Sequence, residues 1–161
     1  MQSRKKGKDK KTEDNSLEDN PLIGIIGQQE LLKELLTWFF KRETGLDCAC
    51  SLNTDQTPLD FNQDITKMRL VLLDCESINS TTLRNKLDAV SKKIPRECMI
   101  ALFNVNHGQG IEKEAAYQGV RGVFYQDDPL GAIQKGVPSI LKGDLWFSRE
   151  TLFKGLQESK P

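Results

Sequence analysis

The chain has 161 residues, enough for one domain with a real core, and its 23 basic and 23 acidic side chains leave no net charge. A neutral chain has no overall basic field to drive nucleic-acid binding. No apolar run approaches the ~20 residues that span a bilayer, and the N-terminus lacks the apolar core of a signal peptide, so the composition reads as that of a soluble cytoplasmic protein with no membrane partner.

Residues 1–20 carry lysines and an arginine in the first half, acids in the second, and almost no large apolar side chain. Such a stretch buries too little surface to offset its ordering entropy and is predicted to be a disordered tail. The domain is predicted over 21–158. Leu22 to Gly27 is a short apolar run, a first buried strand. Gln28 to Lys41 places Leu31, Leu32, Leu35, Leu36, Phe39 and Phe40 on the stripe of an amphipathic helix that Gly45 ends. Leu46 to Leu52 reads as a second strand. Asn53 to Lys67 is polar, is broken by Pro58, and is expected to hold at most a short helix.

Met68 to Cys75, Met-Arg-Leu-Val-Leu-Leu-Asp-Cys, is a nearly unbroken apolar run ending on an acid, as a strand buried on both faces does. Ser80 to Ile94 has Leu83, Leu87, Val90 and Ile94 at helical spacing, and Pro95 closes it. Cys98 to Val105 is a fourth strand, Gly108 to Gly119 a helix, and Val120 to Tyr125 a fifth strand. Pro129 stands near the start of a helix that Pro138 should bend or interrupt and Gly143 stops. A last helix begins near Trp146 or Ser148 and runs to Leu156.

Strands alternating with helices argue for βαβ units. The predicted fold is α/β: a flavodoxin-like, doubly wound, five-stranded parallel sheet of order 2-1-3-4-5 with an additional C-terminal helix. In such a sheet Asp74 stands at the mouth of the crevice where ligands bind. The four cysteines show no zinc-knuckle spacing and His107 is the only histidine, so the thiols read as small apolar fillers, with no metal expected. His107 reads as a solvated loop residue. The chain offers no paired acids, no nucleophile–histidine set and no phosphate-binding glycine loop after a strand, so it does not read as an enzyme.

The order of units and the phrase Gly-Val-Arg-Gly-Val-Phe-Tyr-Gln-Asp-Asp-Pro, Gly119 to Pro129, resemble the receiver domain of LuxR-family response regulators over roughly residues 22–157. The resemblance implies a phosphoacceptor aspartate at the end of the third strand, by position Asp74. It also implies an acid pair after the first strand to hold Mg²⁺, a Thr or Ser ending the fourth, and a Lys ending the fifth. This sequence has Gly27, Gln28 and Gln29 in place of the acids, Asn104 for the hydroxyl and Gln126 for the lysine. Asp74 is therefore a vestigial phosphoacceptor position, expected to hydrogen-bond Gln126 or nearby backbone.

The second phrase, Gly-Asp-Leu-Trp-Phe-Ser-Arg from Gly143 to Arg149, resembles the motif of the VpsT/CsgD-like branch, known for degenerate receivers. The resemblance makes Trp146, Phe147, Ser148 and Arg149 a cyclic di-GMP site and the domain a ligand-responsive homodimer. On a helix, Trp146 and Arg149 share a face. An indole stacks on a purine, a guanidinium stacks or reads guanine O6 and N7, and a serine hydroxyl reaches a phosphate oxygen. A packing role stands beside this one: the Trp of many LuxR-type receivers holds the linker helix onto the domain, and Phe147, Leu152, Phe153 and Leu156 would then form a hydrophobic seam. Glu150 competes for Arg149. The helix-turn-helix of such regulators does not follow Leu156, so DNA binding is expected only through a domain absent from this chain.

Overall fold

In the computed structural model, residues 20–52, 59–61 and 63–158 are described, the last four by backbone alone. The predicted disordered tail lies outside them except for Asn20, as do residues 53–58 and 62 of the polar connection after Leu52, whose described part holds a short 3₁₀ turn, Ile65–Lys67. The elements are β1 (Leu22–Gly27), α1 (Glu30–Thr44), β2 (Asp47–Leu52), β3 (Met68–Asp74), α2 (Ser80–Ser91), β4 (Met99–Val105), α3 (Glu112–Tyr117), β5 (Gly122–Tyr125), α4 (Leu130–Leu141) and α5 (Arg149–Glu158). The strands form one parallel sheet, as the alternating units predict, in the order β2-β1-β3-β4-β5, the flavodoxin-like one expected among the possible orders.

Side chains alternate across each strand, so the core is split into two layers by the sheet. On one side Ile23, Ile25, Leu70, Leu72, Ala101, Phe103 and Phe124 meet Leu36 and Phe40 of α1 and Val137 and Ile140 of α4. On the other, Ile26, Val71, Leu73, Leu102 and Val123 meet Leu83, Leu87 and Val90 of α2 and Ala115 of α3. Every residue of β1 is buried, as a strand covered on both faces requires. Cys48 and Cys50 face the α1 side together. Burial pushes the thiols of Cys48, Cys75 and Cys98 up to about 12, in keeping with their place as small apolar side chains in or against the core.

Local chemistry sets the helix ends. Gly45 takes φ 74° and returns its N–H to Lys41 O at 3.1 Å, closing α1. The Asn79 side chain accepts from the Thr82 amide at 2.9 Å and caps α2. Two expectations are corrected. The helix predicted over Gly108–Gly119 is split: His107–Gln109 is a single 3₁₀ turn, Gly110 turns left-handed at φ 62°, and only Glu112–Tyr117 is α-helical. Pro138 does not interrupt α4, which runs through it to Leu141, where Val137 and Ile140 are buried against the sheet.

Candidate functional site

The strand order reverses between β1 and β3, and their carboxyl ends frame a crevice, as in other doubly wound sheets. A cavity of about 240 Å³ lies there, lined among others by Gly27, Gln28, Gln29, Asp74, Glu76 and Lys86. Gly27 brings β1 so close that a Cβ on it would stand 3.3 Å from Asp74 Oδ2. Asp74 Oδ1 accepts from the Asn104 side-chain amide at 3.1 Å and from the Glu76 backbone N–H at 3.1 Å. Of the two partners expected for Asp74, nearby backbone is the one found, the Glu76 N–H; the Gln126 amide instead reaches 3.5 Å toward the Asn104 carbonyl, and Asn104 is the side chain that takes the carboxylate. Asn104 does so from a left-handed backbone, φ 61°, a conformation that asparagine tolerates better than β-branched residues do.

Mg²⁺ does not fit these residues. A hard divalent ion needs several oxygen ligands, usually more than one carboxylate. Here the residues after β1 are two glutamines, the Gln29 amide donates to Glu76 at 3.3 Å, and one oxygen of Asp74 already holds two donors. Among the described residues no group of three or more His, Cys, Asp or Glu is placed to hold a metal.

The Trp-Phe-Ser-Arg segment lies at the far edge of the sheet, beside β5. Trp146 is not helical. Its N–H donates to Arg121 O at 2.9 Å, its carbonyl accepts from Val123 N at 2.9 Å, and Gly122 and Trp146 form a parallel bridge. The segment is a strand-like extension of the sheet, and α5 starts only at Arg149. The helical face predicted to join Trp146 and Arg149 is therefore corrected: period-2 geometry sends Trp146 to the α1/α4 layer and Phe147 to the α2/α3 layer. The half-buried indole stacks on Phe124, ring centroids 6.1 Å apart at 29°. Gly136 and Gly122 make room for it; a Cβ on Gly136 would come within 2.9 Å of the indole and 2.5 Å of Phe124.

Ser148 precedes α5, and its hydroxyl accepts from the Thr151 amide at 3.2 Å, an N-cap geometry. The same hydroxyl donates to Glu112 Oε1 at 2.6 Å, and the Ser148 N–H donates to that oxygen at 2.8 Å. Tyr125 donates its hydroxyl to Glu112 Oε2. Burial alone would raise the Glu112 pKa, but the bonds from Ser148 and Tyr125 outweigh it and hold the carboxyl below the usual range. Tyr125 is driven the other way, upward, by its burial and by Glu112. Its ring lies flat on His107, 3.9 Å between centroids, and His107 Nε2 is 3.0 Å from Asp127 Oδ1. His107 is thus a stacked and paired residue as well as a solvated one. Arg149 is exposed and its side chain has no ion pair or hydrogen bond among the described residues; its expected competitor Glu150 pairs with Lys154 at 2.9 Å.

Sequence reasoning missed Glu112. The available signal was its position three residues before the buried Ala115, which puts an acid on the inner face of a short helix.

A five-stranded parallel sheet in this order, with an aspartate at the carboxyl end of β3, has the architecture of a receiver-type domain. The CsgD regulatory domain superposes with a TM-score of 0.65 at 20% identity, covering 84% of this chain and 98% of that one. A LuxR-family DNA-binding response regulator from Silicibacter pomeroyi gives 0.54 at 13% identity over 81% and 98%. RcsB, solved as dimers bound to DNA, gives 0.58 at 10% identity over 82% of this chain and 65% of its own. No curated protein sequence matches the chain. The profile of the VpsT-like receiver domain matches residues 22–149, and the chain belongs to that family.

Proposed function

We propose that this receiver is the input domain of a LuxR-type transcription regulator that has abandoned phosphoryl transfer, and that it responds to cyclic di-GMP bound across two copies at the segment Trp146 to Arg149. The observation that carries the reading is the state of Asp74. Its Oδ1 is held by Asn104 and the Glu76 amide, with glutamines where a magnesium-binding receiver has acids. With one of its oxygens held by two donors, glutamines in place of the acid pair after β1, and the nearby Glu76 carboxylate already taken by Gln29, Asp74 lacks the partners a phosphoacceptor uses to hold Mg²⁺.

The ligand half of the proposal rests on family membership and on Arg149. A guanidinium free of protein partners, on the first turn of a helix whose N-terminal end favours anions, suits a guanine edge or a phosphate. Trp146 and Phe147 stay half-buried, so they offer a guanine an exposed margin and not a whole face. Cyclic di-GMP brings two guanines, and binding across a pair of α5 helices would favour the homodimer by mass action. DNA contact would belong to a helix-turn-helix domain elsewhere in such a regulator.

The deciding measurement is a calorimetric titration with cyclic di-GMP on the wild type and on Arg149→Ala. Saturable heats in the wild type and none in the variant are expected, with the melting temperature of Arg149→Ala within a few degrees; flat heats in the wild type remove the ligand. Incubation with acetyl phosphate and Mg²⁺, read by mass spectrometry, should leave Asp74 unmodified, and a stoichiometric aspartyl-phosphate would restore the phosphoreceiver. A ligand-free dimerisation module is the second reading. It is favoured by the indole packed on Phe124 and by Phe153, which is 62% exposed on α5.

A further inference from the structure

The polar contacts around Glu112 run from one end of the molecule's edge to the other. Asp127, after β5, pairs with His107, after β4; His107 stacks on Tyr125; Tyr125 donates to Glu112; Glu112 takes both the amide and the hydroxyl of Ser148. Ser148 in turn caps α5 through the Thr151 amide, and its carbonyl accepts from Leu152 at 3.1 Å. We infer that Glu112 is the positioning residue of the C-terminal helix: its carboxylate couples the end of β5 to the first turn of α5 and so fixes where Arg149 is presented.

The physical case is one of stakes. Glu112 is only 9% exposed, and a carboxylate that deep is costly to leave without donors. Three donors from two separate elements, β5 and the α5 cap, converge on its two oxygens. Bonds to an ionised acceptor are about twice as strong as neutral ones. A shift of Tyr125 therefore changes one oxygen of the group that holds Ser148 by the other. This also divides labour within the Trp-Phe-Ser-Arg segment. Ser148 is spoken for by Glu112 and serves as latch and cap, which leaves Arg149 as the outward-facing group. The inference does not require any ligand.

Hydrogen–deuterium exchange on the full chain, without nucleotide, tests it. Glu112→Ala should speed exchange of the Thr151 and Leu152 amides by about tenfold while amides of β1 and β3 keep their protection. Ser148→Ala, a milder change, should act at the same amides, and the double variant should go little further than Glu112→Ala. Tyr125→Phe removes only a hydroxyl and should produce a smaller increase at those positions. Glu112→Gln, which keeps an acceptor for Ser148, should recover part of the protection. Unchanged exchange at Thr151 and Leu152 in both Glu112→Ala and Ser148→Ala would overturn the proposal. So would loss of protection spread evenly over the sheet in both, or a Tyr125→Phe variant that moves nothing in α5.

Discussion

Asn104 and Glu112 each hold a charge-bearing contact that no neighbouring residue in sequence announces. Asn104 reaches Asp74 from a left-handed backbone. Replacing it by Thr, the residue type a phosphorylatable receiver carries there, puts a β-branched side chain where φ is positive. Asn104→Thr should therefore destabilise the fold by about 1–2 kcal/mol or more, and by more than Asn104→Gly, which loses the same hydrogen bond without the strain. Paired urea denaturation curves would show the order. Restoring the family hydroxyl is thus not a one-residue repair.

Glu112 gives a pH signature. Its folded pKa lies below the ordinary carboxylate value, so its stabilisation is complete above the unfolded pKa and is lost as pH falls through the folded one. The melting temperature of the wild type should exceed that of Glu112→Ala at neutral pH, and the gap should close on acidification below the ordinary carboxylate range. A gap that stayed constant, or widened, would show that the carboxylate's charge is not what Ser148 and Tyr125 stabilise.

Two elements are decided by their neighbours. Gly136 lies inside α4, where a Cβ would strike Phe124 and the indole of Trp146 together. Gly136→Ala should cost about 1–3 kcal/mol despite the better helix propensity of alanine, because overpacking outweighs the propensity gain. Tryptophan emission of Trp146, read in a Trp38→Phe background, should shift to the red as the ring is pushed out. The other element is the segment before α5. Leu-Trp-Phe-Ser is too short for its periodicity to separate a strand from a helix start. What settles it is the open edge of β5, where the carbonyl of Arg121, just before the strand, and the N–H of Val123 within it find partners in Trp146.

For the whole molecule, α1 and α4 cover one face of the sheet and α2 and α3 the other, leaving α5 outside the two layers and touching α3. No helix among the described residues is long and apolar enough to cross a membrane. In the proposed dimer, α5 is the element that would meet the second copy. Sedimentation velocity should show cyclic di-GMP moving the wild type from monomer toward dimer. Phe153→Glu, on an exposed site, should keep the chain monomeric with little change in stability. A wild type that dimerises equally with and without nucleotide, through Phe153, would favour the ligand-free module.

The parallel sheet and its alternating helices were legible in the amino-acid sequence. Most strands are short apolar runs and most helices carry an apolar stripe, local patterns that mark out alternating βαβ units, while the order 2-1-3-4-5 is one choice among the doubly wound arrangements those units allow. The sequence also placed Asp74 at a strand end and showed that its usual partners are missing. Tertiary structure alone decided which residue satisfies Asp74, that Trp146 extends the sheet, and that Ser148 answers to Glu112, 36 residues earlier. Those contacts join residues far apart in the chain, and their energies depend on burial and on which donors converge. Neither quantity exists until the layers have packed.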